Sequence, residues 1–198
     1  MDLKVKKKGK LIIISGPSGV GKSSLTDDAL EGLEGFERSV SVTTRPIRKN
    51  EEEGHKYNFI SKEDFDNLIK EDKLLECAQY CDFQYGTPGD FVEKKLSEGK
   101  NVILEIEVQG AIQIKKKIKD AYLIFIVTSN ISDLKKRLKS RNTESENNIE
   151  KRLKAAAEEL KYQSYYDCII VNNDYNEALL NLKQVLLSQK EEVQIGNL

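Results

Sequence analysis

From Gly16 to Ser23 the chain reads Gly-Pro-Ser-Gly-Val-Gly-Lys-Ser, directly after Leu11-Ile12-Ile13-Ile14 and directly before Ser24-Leu25-Thr26-Asp27-Asp28-Ala29-Leu30. The apolar run suits a strand buried on both faces. The residues from Ser24 to about Leu33 suit a helix, with Gly32 and Gly35 near its end, where glycine serves as a cap. Strand, glycine-rich loop, Lys-Ser, helix is the context in which a G-x-x-x-x-G-K-[ST] pattern binds phosphate. Glycines let successive backbone N–H groups turn toward one anion, and the helix start adds unpaired N–H groups and a positive dipole end. Gly16, Pro17, Ser18, Gly19, Val20, Gly21, Lys22, Ser23 and Ser24 are therefore expected to cradle a nucleoside triphosphate. Lys22 can reach the β- and γ-phosphates, and the Ser23 hydroxyl can hold Mg²⁺. The motif does not say what receives the phosphate.

At 198 residues the chain suits one compact domain with small insertions. With 38% hydrophobic and 33% charged residues it reads as a soluble, charge-rich globule. A formal net charge of -1 argues against a general polyanion binder, and the Lys4–Lys10 cluster reads as a solvated tail rather than a nucleic-acid arm. No apolar run approaches the roughly 20 residues of a spanning helix, and the apolar run after the basic start is too short for a signal peptide. Cys77, Cys81 and Cys168, with His55 as the only histidine, lack zinc-ligand spacing and are expected to be free thiols in a reducing cytoplasm.

Along the chain, Ser39–Arg45 begins as an alternating strand that Pro46 breaks. A charged turn from Arg48 to Gly54 follows, then a strand at Tyr57–Ile60 and a helix opened by Ser61-Lys62-Glu63-Asp64. Leu74–Tyr80 and Gln84–Thr87 are two further strands, so about 39–92 forms a small β-rich insertion. Val102–Val108, Ala121–Val127 and Cys168–Val171 continue the core as strands, with helices at about Gly110–Ile118 and Glu177–Gln189. Ile131 to about Tyr162 reads as a charged helical arm interrupted at Asn142-Thr143-Glu144. Alternating strands and helices imply an α/β fold with a parallel sheet, ligands lying at the carboxyl ends of its strands.

Four polar groups stand out beyond the loop. Arg45 and Arg48, with Ser41, Tyr57 and Tyr85 on neighbouring strands, suit a phosphate monoester, because a guanidinium fork donates two parallel bonds. Glu105 and Glu107 alternate late in a core strand and so are expected to share a face, one toward the water shell of Mg²⁺ and the other toward a substrate. A structural salt bridge is the competing reading of that pair. Glu76, after Leu74-Leu75, is expected to be partly buried, with Thr87 near it. Arg137 and Arg141 share a helix face, and with Arg152 they put positive charge on the arm, where it can close over a transferring phosphate.

These residues stand in a familiar order. Ser39-Val40-Ser41, Thr43-Thr44-Arg45, Arg48, Glu51, Gly54 and Tyr57 resemble the substrate-binding signature of guanylate kinases. The likeness continues through Glu76, Tyr85-Gly86-Thr87-Pro88, Leu104 to Gly110, Leu138, the corner Arg141 to Glu144, and Val171 to Asp174, covering about residues 10–188. The bacterial type is the closer likeness. The resemblance implies a P-loop core (10–38, 93–130 and 164–190), a GMP-binding insertion (39–92), a helical lid (131–163) and tails at 1–9 and 191–198. It implies transfer of the γ-phosphoryl of Mg·ATP to GMP, with dGMP as a second acceptor, by a cytoplasmic monomer or homo-oligomer of purine metabolism without nucleic-acid or membrane partners. Ser41, Arg45, Arg48, Tyr57 and Tyr85 would hold the GMP phosphate, and Glu76, Thr87 and Glu107 would read guanine. Arg137, Arg141 and Arg152 would be the lid arginines, and Asn172 would lie near the adenine. With Lys22 and Arg45, those three arginines make up the expected catalytic set, and Ser23 and Glu105 the expected metal set.

A carboxylate accepts from guanine N1–H and N2–H, and a threonine hydroxyl can donate to O6. The sequence departs from the family pattern at Pro46-Ile47, at Asn50 and Asn142 where glycine is usual, and at Asn173 where aspartate is common. Two other readings are available: a non-catalytic binding module, which the intact loop argues against, and a kinase with another phosphorylated acceptor, which Glu76, Thr87 and Glu107 together argue against.

Overall fold

A computed structural model describes residues 8–48, 51–80, 82–140 and 146–195. Arg141, Asn142, Asn50 and Cys81, named above, lie outside the described residues. In chain order the elements are β1 (Leu11–Ser15), α1 (Lys22–Leu30), β2 (Phe36–Arg38), β3 (Ser41–Thr43), β4 (Tyr57–Phe59), α2 (Lys62–Lys70), β5 (Leu74–Tyr80) and β6 (Phe83–Pro88). They continue with α3 (Gly89–Ser97), β7 (Asn101–Glu105), α4 (Val108–Lys117), β8 (Tyr122–Val127), α5 (Ile131–Ser140), α6 (Glu146–Glu159), a 3₁₀ turn (Leu160–Tyr165), β9 (Cys168–Val171) and α7 (Tyr175–Ile195).

A five-stranded sheet has the order β2-β7-β1-β8-β9. β2 runs parallel to β7 and β8 parallel to β9, as expected of strands joined through helices. Its three central strands, β7, β1 and β8, carry apolar runs: Ile12, Ile13, Ile14, Val102, Ile103 and Leu123 to Ile126 have no exposed surface. A second sheet, β4-β3-β6-β5, is mixed, with β3 parallel to β4 and antiparallel to β6. Val42, Phe65 and Leu74 form its core, with Ile60, Leu68 and Cys77 packed on them. All four of its strands fall within 39–92.

The chain divides into two compact units. One contains residues 8–12 and Gly35–Ala121, the other Ile13–Glu34 and the chain from Tyr122 onward. The first holds the mixed sheet, β2, β7, α3 and α4. The second holds the glycine loop, α1, β8, β9 and α5 to α7.

Two elements escape the sequence pattern. β2 is only three residues of mixed polarity, and its pairing with β7, Phe36 opposite Asn101, makes it a strand. α3 begins at Gly89 behind Pro88 and buries Val92 and Leu96, a stripe too short to show as a period. α1 starts at Lys22, earlier than expected, and ends at Leu30. β7 ends at Glu105, so Glu107 does not sit on the strand; it is the N-cap residue of α4.

Candidate active site

In the second unit the glycine loop leaves β1 through Gly16, whose φ is +140° and whose missing Cβ would strike the carbonyl oxygen of Ile126. Gly21 caps α1 in a left-handed conformation (φ 98°, ψ 17°) that a side chain would resist. It brings no side-chain cap, and the first turn of α1 carries no acidic residue. The first-turn N–H groups of Lys22, Ser23 and Ser24 have no acceptor within their own helix, which is what an anion site requires. Lys22 Nζ lies over its own loop, donating to the carbonyl oxygens of Gly16 at 2.5 Å and Pro17 at 3.2 Å.

The arm lies on the same loop. Arg137 donates from Nη1 to Val20 O (3.1 Å) and from Nη2 to Asn172 O (2.7 Å). Arg152 is 7% exposed and donates to the hydroxyl of Ser18. Leu134 and Leu138 stand against the Cα of Gly19. Two of the three arginines expected on the arm, Arg137 and Arg152, are thus seated on the glycine loop in this structure, each bonded to one of its oxygens. Asn172 is 2% exposed and gives its Nδ2 to Val20 O at 2.7 Å, while no described residue donates to its buried Oδ1. Asn173 accepts from Ser129 N at 3.0 Å and donates to its Oγ at 2.6 Å, so the amide clamps that turn with both of its atoms. An aspartate could not donate in this way.

In the first unit Ser41, Tyr57, Glu76, Ala78, Tyr85, Glu105, Ile106 and Glu107 line one cavity. Arg45, 5% exposed, stands beside it. Its guanidinium lies 4.9 Å from the Tyr57 ring centre and 5.0 Å from that of Phe59. Its end-on edge is matched to Glu51, Nη1 to Oε2 and Nη2 to Oε1, both at 2.6 Å. Burial alone would raise Glu51, but those bonds, the N–H of Arg48 and the two guanidinium charges hold its carboxyl below the usual range. Arg48 is exposed, its backbone N bonded to Glu51 Oε2 at 3.0 Å. Tyr57 and Tyr85 meet edge to face at 5.9 Å, and burial raises both phenols, so both remain protonated donors.

Glu76 is more buried than its sequence context suggests, with 3% exposure. The hydroxyl of Thr87, on the neighbouring strand, donates to Glu76 Oε1 at 2.7 Å. Desolvation lifts the Glu76 carboxyl to about 7, opposed by the Thr87 bond and reinforced by the Glu107 charge. In this structure, then, the Thr87 proton serves Glu76 rather than pointing to a base, and Glu76 is not held firmly ionised. Glu105 forms a salt bridge with Arg38, so the competing reading of that carboxylate describes its state here.

Sequence reasoning missed Arg38, because β2 itself was missed, and it gave Glu51 no role of its own. No local signal marks Arg38, whose partner is 67 positions away. Among the described residues no group of three or more His, Cys, Asp or Glu side chains could hold a metal. Cys77 and Cys168 are free thiols. None of the helices among the described residues is long and apolar enough to cross a membrane.

A loop that gathers backbone N–H groups at a helix start, with a lysine folded over it, is suited to phosphate; the cavity lined by Tyr57, Tyr85, the buried Glu76 and two half-buried carboxylates, with Arg45 beside it, offers both hydrogen-bond donors and acceptors. Together with the parallel sheet, these features place the chain among P-loop nucleotide phosphotransferases. The guanylate kinase family model matches residues 8–189. The chain is 42% identical over 188 residues to the guanylate kinase of Caldanaerobacter subterraneus subsp. tengcongensis, covering 95% of this chain and 91% of that one. It is 45% identical over 182 residues to that of Desulfitobacterium hafniense (92% and 91%). The crystal structure of guanylate kinase from Anaplasma phagocytophilum superposes with a TM-score of 0.79 at 30% identity, covering 93% of this chain and 88% of that one. The chain belongs to the guanylate kinase family and is an ATP:GMP phosphotransferase.

Proposed function

We propose that the cavity of the first unit binds GMP with its base against Glu76 and Glu107 and its phosphate against Ser41, Arg45, Arg48, Tyr57 and Tyr85. The gathering of Ser41, Tyr57, Glu76, Tyr85 and Glu107 around one cavity, with the Arg45 guanidinium against Tyr57 beside it, carries this reading. Arg45 offers Glu51 its end-on edge, which leaves Nε and the second Nη2 hydrogen as a side-on fork for a phosphate. Two protonated phenols add donors. Guanine N1–H and N2–H meet carboxylate oxygens, and Thr87 holds Glu76 in place for them. Adenine would present a lone pair at N1 and leave the carboxylate unmatched, which is how polar pockets reject analogues. dGMP, with the same base and phosphate, is a second acceptor.

A GMP phosphate oxygen attacks the γ-phosphorus in line, and the bond from that phosphorus to the β–γ bridging oxygen breaks to release ADP. The acceptor phosphate is mostly dianionic at neutral pH (second pKa about 6), so it needs no strong base. The chain positions and neutralises: loop N–H groups and Lys22 on the donor phosphates, Arg45 on the acceptor, Arg137, Arg141 and Arg152 as lid cations, and Asn172 toward the adenine. The residues suit Mg²⁺, which keeps water ligands and is bound largely through substrate phosphates rather than an all-protein cage. Ser23 would hold the ion, and Glu105, engaged with Arg38, would act on its water shell. Bound there, Mg²⁺ supplies charge neutralisation of the transferring group. The proposal keeps the division into core, insertion (39–92) and lid (131–163), and a cytoplasmic place in purine nucleotide metabolism.

A coupled assay across GMP, dGMP, AMP, IMP, CMP and UMP tests the reading. GMP should have the highest kcat/KM, with dGMP next and AMP near background. Equal use of AMP and GMP would overturn it.

A further inference from the structure

Gly110 lies in the first turn of α4, and its backbone is not in the left-handed region, so conformation does not require glycine there. Space does. A Cβ at this position would overlap Oε2 of Glu76 and stand 2.8 Å from its Cδ and 3.3 Å from its Cγ, where ordinary contact begins near 3.4 Å. Glu76 has little room to yield: its carboxylate is buried and bonded to Thr87. The helix is fixed as well. One turn on, Gln113 grips the backbone of Cys77, accepting from its N at 3.3 Å and donating to its O at 2.6 Å, as a neighbouring strand would. A further turn on, Lys117 Nζ donates to Leu75 O at 2.8 Å. Gly110, Gln113 and Lys117 recur at three- and four-residue steps, so one face of α4 is laid along β5. Among the described residues β5 pairs with β6 along one edge, and α4 lies along the other.

We propose that Gly110 and Gln113 are positioning residues for the acceptor base, fixing the depth and direction of the Glu76 carboxylate. This deepens the guanine reading above and rests on it. Gln113 sets the strand register at the residue after Glu76. Gly110 supplies the seat against which the carboxylate rests, so that Glu76 faces the cavity at one depth only. Any side chain at 110 pushes the carboxylate off Thr87 and out of that position.

The test is a cycle of Gly110→Ala and Glu76→Ala, read by thermal unfolding and by kinetics. In the presence of Glu76, Gly110→Ala should lower Tm and cut kcat/KM for GMP by about tenfold or more, the scale of one charged hydrogen bond, with KM for ATP unchanged. In the Glu76→Ala background the same change should raise Tm, because the clash is gone and alanine is the better helix former. This sign reversal is readable even if Gly110→Ala alone is too unstable to assay. Gln113→Ala should give a smaller loss confined to the GMP side. An equal fall in Tm in both backgrounds, or a Gly110→Ala enzyme with unchanged GMP kinetics, overturns the proposal. Wild-type protein that uses AMP as well as GMP overturns the guanine reading itself and with it the base-specific part of this proposal, while the Tm cycle still decides the contact.

Discussion

The two nucleotide sites are built on opposite plans. The loop from Gly16 to Ser23 is contiguous, made of backbone N–H groups, and its long cations rest on its own carbonyls or hydroxyl. The proposed acceptor cavity draws on β3, β4, β5, β6, the end of β7 and the cap of α4, and its polar side chains, Glu76 the most buried of the carboxylates, hold or are held by their neighbours. A backbone site adds no charge to the interior. A buried carboxylate does, and desolvation penalises it until a ligand arrives. Loss of a loop cation should therefore alter rate without altering stability. Loss of the buried Glu76 charge should move both, in opposite senses.

Lys22→Ala gives the largest effect. Losing the loop cation should lower kcat roughly 10³-fold, with Tm close to wild type, because the ammonium touches only partly exposed loop carbonyls. Measured kcat above half of wild type would remove Lys22 from the mechanism; a large drop in Tm would break the contrast.

Glu76→Gln comes next. Removing a charged acceptor costs about 1.5–3 kcal/mol, or roughly 10- to 150-fold in kcat/KM for GMP, with KM for ATP little changed. Glu107 is proposed to share the base, so the double variant should exceed either single one. Equal losses on both substrates would make Glu76 structural.

The same variant sharpens the stability half. The carboxyl titrates near 7 in the fold against an ordinary value of 4.5. Between those pH values the folded protein holds a proton that the unfolded chain has released, so this group lowers stability as pH rises and the full penalty is present above 7. Glutamine has no such dependence. Glu76→Gln should match wild type near pH 5 and exceed it by about 3 kcal/mol at pH 8, as measured by urea unfolding. A constant difference across that range would mean that Glu76 titrates normally.

Smaller effects are expected where the arm meets the loop. Arg137→Ala removes the bonds to Val20 O and Asn172 O and should lower kcat about tenfold, with the GMP KM unchanged. Asn172→Ala strips a buried bond from Val20 O and should cost about 1–2 kcal/mol of stability, measured by denaturant midpoint.

The same contrast explains what could be read from sequence. The loop was legible because its chemistry depends on glycine, lysine and serine at fixed spacing in one segment. Arg45, Tyr57, Tyr85 and Glu76 were legible as a set through family resemblance, and their strands through alternation. The hand of Thr87 was not, since a hydroxyl has two possible uses and only the burial of Glu76 decides between them. The Arg38–Glu105 pair lay hidden in a strand that exists through pairing rather than propensity. Alternation extends the strand to Glu107 because it cannot show where a ladder stops. Gly110 reads in sequence only as the start of a helix, whereas its meaning is the space that Glu76 fills.

The attachment of Lys22 to Gly16 O and Pro17 O sets an entry threshold for anions. An inorganic phosphate or sulfate ion must strip the ammonium from two carbonyls and has only its own charge to offer in exchange. A nucleoside triphosphate brings several phosphates, a metal and a base to the same exchange. Affinity at this loop should therefore rise with the number of phosphates that a ligand carries.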